Sequence, residues 1–298
     1  MRKIIDGEFI AALEGHDLCR REPMDGMFGG NRRSRAYGSS AEFAEYRDYV
    51  PGDDLRRIDW NLYARFEKLL TRLYVDEKQQ HHRIYIDASA SMDWGEPGKA
   101  EAALKMAAAF AYLAVGGLDK ASVYTLCGSR LEQVGRTMGS REAFYSTVEE
   151  LNRVTFRGDT DFAAAICGEE NPGAHDGVTI IISDFLTDSD WKAAVDYLLY
   201  HGREVWLVQL LSPDELTPDM HGKVLFLDSE AAGEEDLRNV KKEVTRAELK
   251  AYAEALRYHH DDMKRFCDAR GVKLICLSSA MTAEEMLFMH AAGAEMTV

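Results

Sequence analysis

Asp87-Ala88-Ser89-Ala90-Ser91 sets one carboxylate and two hydroxyls at alternate positions along the chain. Alternate residues of an extended segment project to the same side, so the three side chains can aim at one spot where a strand runs into its loop. A second carboxylate, Asp184, follows the apolar run of residues 178–183. Between the two in sequence stands Thr160, in Gly158-Asp159-Thr160-Asp161, just ahead of a short apolar stretch. Asp87, Ser89, Ser91, Thr160 and Asp184 are all hard oxygen donors. Mg²⁺ favours such donors at about 2.0–2.1 Å in an octahedron and keeps several waters, and Mn²⁺ and Ca²⁺ also accept oxygen ligands. The imidazole and thiolate that Zn²⁺ takes are missing from the set.

Such a site requires strands whose carboxyl ends share a rim. From residue 81 onward the sequence alternates strand and helix patterns. Strands are expected over 82–87, 121–127, 178–184, 204–211, 223–228 and 272–278, with residues 131–137 as an edge strand beside 121–127. Helices are expected over about 99–115, 141–151, 162–167, 191–200 and 245–270, with a last one from Thr282. The helix at 99–115 turns Ala103, Met106, Phe110 and Leu113 inward and stops at Gly116-Gly117. Residues 178–182 are almost wholly apolar, as in a strand of a parallel sheet covered on both faces. The pattern predicts an α/β fold, a doubly wound and mostly parallel sheet flanked by helices with right-handed crossovers. Ligands of such sheets bind outside the carboxyl ends of the strands.

Residues 1–78 read differently, as an N-terminal segment packed on a main domain of 79–298. Ile5, Phe9, Ile10 and Leu13 mark a short amphipathic helix. Pro51-Gly52 marks a turn, after which Asp53 or Asp54 caps a helix with Leu55, Ile58 and Leu62 on one stripe. Residues 69–75 read as a strand.

The 298 residues are 46% hydrophobic and 29% charged, an ordinary globular balance. The five cysteines are scattered and odd in number, which argues for small buried apolar residues and a reducing, cytoplasmic setting. No run approaches the roughly 18 apolar residues of a membrane span. The net charge of −15 disfavours nucleic acid. Asn31-Arg32-Arg33-Ser34-Arg35, with Arg20 and Arg21 near it, is the basic exception, a solvated loop or a dock for an acidic partner.

The order Asp-x-Ser-x-Ser, then Thr, then a strand-end Asp resembles the metal-ion-dependent adhesion site of von Willebrand factor A domains. The resemblance spans about residues 80 to 210. It implies that Ser89 and Ser91 hold Mg²⁺ directly, Asp87 and Asp184 mainly through water, and Thr160 directly once a partner is present. It also implies a protein partner that offers an Asp or Glu to the metal. Residues 42–60, EFAEYRDYVPGDDLRRIDW, followed by Ala64-Arg65, closely resemble the signature of the bacterial family catalogued as domain of unknown function fifty-eight. Members of that family often sit beside MoxR-type AAA+ ATPases, so the resemblance implies such an ATPase or its client as partner, in assembly or maturation. Many relatives carry an N-terminal membrane hairpin that is not read in this chain.

Other readings stay open at this stage. Thr160, Ser89, Ser91 and Asp184 also suit helix caps and turns. Asp93, Asp159 and Asp161 suit caps or solvated positions, and Asp and Arg of residues 52–60 suit pairing within the segment. The adjacent pairs His81-His82 and His259-His260 point apart and chelate poorly. The enzyme alternative is a Mg²⁺-dependent phosphohydrolase with Asp87 as nucleophile. It lacks a second acid two residues on, where Ser89 stands, and Lys99 is the lysine that would have to serve it. Neither GxxxxGK[ST] nor GxGxxG occurs.

Overall fold

The alternation of strand and helix resolves, in the computed structural model, into a covered six-stranded sheet. The strand expected over 223–228, however, lies outside it, paired antiparallel with residues 240–244 in a separate two-stranded sheet. The structure describes residues 4–19, 37–75, 79–168, 177–220, 222–226, 240–282 and 285. The basic stretch at 31–35 and most of the helix expected from Thr282 lie outside the described residues. Thr282 and Glu285 do make the reciprocal bonds of a helix start.

The described elements are α1 (Gly7–Cys19), β1 (Tyr37–Asp48), α2 (Trp60–Phe66), β2 (Leu70–Val75), β3 (His81–Asp87), α3 (Lys99–Gly116), β4 (Lys120–Cys127) and β5 (Arg130–Met138). They continue with α4 (Arg141–Leu151), α5 (Phe162–Cys167), β6 (Val178–Ser183), α6 (Trp191–Tyr200), β7 (Glu204–Leu211) and α7 (Pro213–Leu216). The series ends with β8 (Gly222–Phe226), β9 (Val240–Val244), α8 (Arg246–Arg270) and β10 (Lys273–Ser278). They divide into two compact units. The smaller holds β1, α2 and β2; the larger holds α1 and everything from β3 onward.

In the larger unit the sheet order is β10-β7-β6-β3-β4-β5. All pairings are parallel except β4 with β5. α/β architecture with a mostly parallel sheet is therefore the fold. α3 and α4 cover one face, where Phe110 meets Trp206 edge to face at 6.3 Å. α5, α6 and α8 cover the other, closing a core of Tyr85, Phe162, Ile181, Phe185, Trp191 and Phe266. Period-2 alternation sorts β6 accordingly: Ile181 belongs to this second core, while Ile180 and Ile182 turn to the other face. α3 is apolar around almost its whole circumference because it lies buried rather than half-solvated. Its alanines combine high helix propensity with a slim cross-section. Gly177, at φ +97, enters β6 where a Cβ would stand 2.4 Å from the His81 carbonyl oxygen, so only glycine fits.

Two expectations require correction. The amphipathic helix at the start, α1, sorts with the larger unit rather than with residues up to 78. Its Phe9 and Leu13 are buried, as is Ile5 just before it, and Asn152, the C-cap of α4, bonds both the amide and the carbonyl of Ile5. The single helix with Leu55, Ile58 and Leu62 on one stripe is instead two pieces. Asp54 caps a three-residue 3-10 turn over Leu55–Arg57, Ile58 is extended, and Asp59 caps α2. Successive Asp caps offer the backbone local bonds that compete with a continuous helix.

In the smaller unit, β2 pairs antiparallel with β1. Asp59 accepts from the Tyr46 hydroxyl and from both Nε and Nη2 of Arg72, at 2.7–3.0 Å. Arg47 grips both oxygens of Asp53 at 2.7 Å. These acids are used inside the unit, but their partners Tyr46, Arg47 and Arg72 lie outside residues 52–60, where pairing within the segment was expected. Among the described residues no helix is long and apolar enough to cross a membrane.

Candidate metal centre

β3 lies at the middle of the sheet, with β4 on one side and β6 on the other. The chain leaves β3 toward β4 and β5, then returns to β6 beyond it, so the connections diverge between β3 and β6. That divergence opens a crevice at the carboxyl ends of the two strands. Asp87 ends β3 and Asp184 follows β6.

The register pairs Ile86 with Ile182, so Ser183 is the β6 residue level with Asp87. Its hydroxyl donates to Asp87 Oδ2 at 2.7 Å and accepts from the Phe185 amide at 2.9 Å. Asp87 Oδ1 accepts from the Thr160 hydroxyl at 2.7 Å and the Ser89 amide at 3.0 Å. Thr160 is held in place by backbone stitching. Ala90 N bonds Gly158 O, Arg157 N bonds Ala88 O, and Gly128 bonds Asp159 and Asp161. Ser89 and Ser91 hydroxyls lie 2.9 Å apart at the start of a 3-10 turn over Ala90–Asp93. Asp87, Ser89, Thr160 and Asp184 are buried, and Ser91 is half-buried. Burial pushes the Asp87 carboxyl above the usual carboxylate range, against the hydrogen bonds from Ser183, Thr160 and Ser89 that favour its charge.

Asp184 Oδ1 accepts from the Leu186 amide at 3.0 Å, a turn bond. Its Oδ2 accepts from the Lys99 ammonium at 2.6 Å, and the same ammonium reaches Glu215 Oε1 at 2.5 Å. Lys99 is fully buried at the first turn of α3.

All five residues singled out in the sequence thus meet at one crevice. Asp161 caps α5 through the Ala164 amide, and Asp93 and Asp159 are exposed. Thr160 is not a cap; it serves Asp87. His81 and His82 are used structurally: His82 takes the Val178 amide on Nδ1 and faces Asp119 with Nε2, and His81 faces Ser122. Sequence reasoning missed Ser183, Glu215 and the place of Lys99. A lysine in the first turn of a long helix opposes the helix dipole, and that local conflict was the available signal.

Among the described residues no three His, Cys, Asp or Glu side chains converge as a metal cluster. A cation here would rest on hydroxyls and two carboxylates. That donor set fits: adjacent oxygens of an octahedron with bonds of about 2.0–2.1 Å stand about 2.9 Å apart, and the Ser89 and Ser91 hydroxyls are 2.9 Å apart.

The model of a family described as "Protein of unknown function DUF58" matches residues 45–261. The chain belongs to this family. The DUF58 match takes in Asp87, Ser89, Ser91, Lys99, Thr160, Asp184 and Glu215. Uncharacterized proteins of Mycobacterium tuberculosis and Mycobacterium bovis are each 28% identical over 233 residues, covering 76% of this chain and 73% of theirs. Among solved structures, the SpRpn10 VWA domain is similar at a TM-score of 0.41 and 10% identity, over 74% of this chain and all of that one. A manganese-loaded Plasmodium vivax TRAP protein is similar at a TM-score of 0.30 and 17% identity, over 44% of this chain and 56% of that one.

Proposed function

We propose that this DUF58 chain is a metal-dependent protein-binding module. Its Ser89, Ser91, Thr160, Asp87 and Asp184 would hold Mg²⁺ (or Mn²⁺ or Ca²⁺) for an Asp or Glu of a partner protein, most specifically a MoxR-type AAA+ ATPase or its client. The observation that carries the reading is the Ser89–Ser91 hydroxyl pair, at octahedral spacing beside Asp87 on the carboxyl rim of β3. A divalent cation held there supplies an electrophilic position that a carboxylate can fill. The protein's part is to present neutral hydroxyls and keep the acids back. Asp87 spends its oxygens on Ser183, Thr160 and the Ser89 amide, and Asp184 spends one on Lys99. Few direct anionic ligands leave the charge of the ion for the incoming carboxylate, a charge-assisted contact. Trp94 and Leu186, exposed on two of the three loops that carry the site, offer apolar contact beside it.

The phosphohydrolase reading gains one observation, the Lys99 ammonium on Asp184. It is weakened by burial, because Asp87 is 2% exposed and three hydrogen bonds already fall on its two oxygens, one on Oδ2 and two on Oδ1.

The test is Mn²⁺ binding by electron paramagnetic resonance, followed by capture of a purified MoxR-type ATPase. Wild type should bind Mn²⁺ and the ATPase with metal but not with EDTA, and Asp87→Ala should do neither. Capture of the ATPase indifferent to both metal and Asp87 would overturn the metal-dependent reading. Turnover of a phosphate ester abolished by Asp87→Ala would favour the enzyme.

A further inference from the structure

Lys99 is the strongest local contradiction in the fold. An ammonium is placed in the positive end of the 18-residue α3 and removed from water, two unfavourable terms that need compensation. Two carboxylates compensate it, and they belong to different parts of the larger unit. Asp184 follows β6 and belongs to the proposed metal set. Glu215 lies outside that set, on α7, where its other oxygen closes a capping box with the Ser212 amide at 2.8 Å. The turn that holds Glu215 is pinned. The Tyr252 hydroxyl from α8 donates to the Glu215 carbonyl at 2.9 Å. Gly95, four residues before Lys99, packs so closely that an added Cβ would stand 2.5 Å from Ser212 Cβ. The Ser279 hydroxyl after β10 donates to the Pro97 carbonyl at 2.5 Å. Lys99 and Glu215 are therefore held against each other by their own loops, not merely by charge.

We propose that Lys99 is an internal competitor of the metal: it occupies Asp184, Glu215 draws it away, and its division between the two carboxylates sets the metal affinity of the site. This inference rests on reading Asp87, Ser89, Ser91, Thr160 and Asp184 as a metal centre. A cation approaching Asp184 meets a positive charge already bonded to that carboxylate. Removing the ammonium frees Asp184 Oδ2 and lowers the repulsion. Removing the charge of Glu215 leaves Asp184 as the ammonium's one anionic partner and raises it. A lysine whose charge the metal site does not feel would give no such opposition of sign.

The experiment measures Mn²⁺ dissociation constants for wild type, Lys99→Met, Glu215→Gln and Asp87→Ala, with near-ultraviolet circular dichroism to confirm folding. Lys99→Met, which keeps the volume of the side chain, should tighten Mn²⁺ by about tenfold and Glu215→Gln should weaken it severalfold, the scale of one unit charge a few ångströms away at partial burial. Should Lys99→Met not fold, the sign of the Glu215→Gln effect decides by itself. Unchanged or weaker binding by folded Lys99→Met, or tighter binding by Glu215→Gln, overturns the competitor role. If wild type binds Mn²⁺ through Asp87 and these variants do not shift it, the competitor fails and the metal centre stands. If neither wild type nor Lys99→Met binds Mn²⁺, both fall.

Discussion

Asp87 is satisfied from three directions by groups of different origin: a hydroxyl from β6, a hydroxyl from the loop before α5, and an amide from its own turn. Ser183 is the most demanding of these partners, since its oxygen both donates to Asp87 and accepts from the Phe185 amide. Ser183→Ala leaves a buried carboxylate oxygen and a buried N–H unpaired together. Such losses cost about 1–3 kcal/mol each, so urea unfolding of Ser183→Ala should show a loss in or above that range with an unchanged m-value. A loss below about 0.5 kcal/mol would mean that the Ser183 bond is replaced by water or by a shifted neighbour. The alternation Asp-x-Ser-x-Ser was legible because it is local. Ser183 was not, because only the register of β3 on β6 puts it beside Asp87.

The turn after β6 holds Asp184 by packing as well as by bonds. Phe185 is fully buried at φ +56, stacked on Phe162 at 5.9 Å and edge to face with Trp191 at 5.5 Å. A non-glycine residue persists at positive φ only where its surroundings over-determine it. Phe185→Ala should cost about 3–5 kcal/mol, and it should also weaken Mn²⁺ binding because Ser183 and Asp184 share that turn. An affinity unchanged in the folded variant would show that hydrogen bonds alone position the acids. Most elements of the larger unit could be read from periodicity, including the edge strand β5, whose exposed Arg130, Glu132, Gln133 and Arg136 suit an unpaired border. β1 could not. Register irregularities between Tyr37 and Glu42 and between Phe43 and Glu45 break its period of two. β9 was hidden for another reason: Val240-Lys241-Lys242-Glu243-Val244 has three charges in five residues and is a strand by pairing with β8.

At the scale of the molecule, a ligand that binds only the folded state stabilises it by about 2.7 kcal/mol at a hundredfold excess over its dissociation constant. For a unit of this size that is roughly 2–4 °C of melting temperature per kcal/mol. Calorimetry with saturating Mg²⁺ should therefore raise the melting temperature of wild type by several degrees and leave Asp87→Ala unmoved; equal shifts in both would place the metal elsewhere. Stability should also fall on mild acidification through His81. Burial, with the nearby charges of Arg83 and Arg203, lowers its imidazole to about 4 from the ordinary 6.5. Between those values the unfolded chain binds the extra proton, so the contribution of neutral His81 is complete above pH 6.5 and is lost as pH falls toward 4. Melting curves of His81→Gln should be flatter than wild type across that interval. Parallel curves would assign the acid loss to other groups.

What the sequence determined by itself was everything with a short period: the strand–helix alternation, the wholly buried β6, and the alternate oxygen donors Asp87, Ser89 and Ser91. It also marked Asp184 as an oxygen donor on the rim, because the ends of apolar strands in a parallel sheet share one edge, while Thr160 entered the set through the resemblance. The tertiary structure alone decided which strands are neighbours, and hence that β3 and β6 open the crevice. It alone brought Lys99 and Glu215 together across 116 positions and left α1 with the larger unit. Contacts of that span depend on register and packing between distant segments, and neither leaves a periodic trace in the residues themselves.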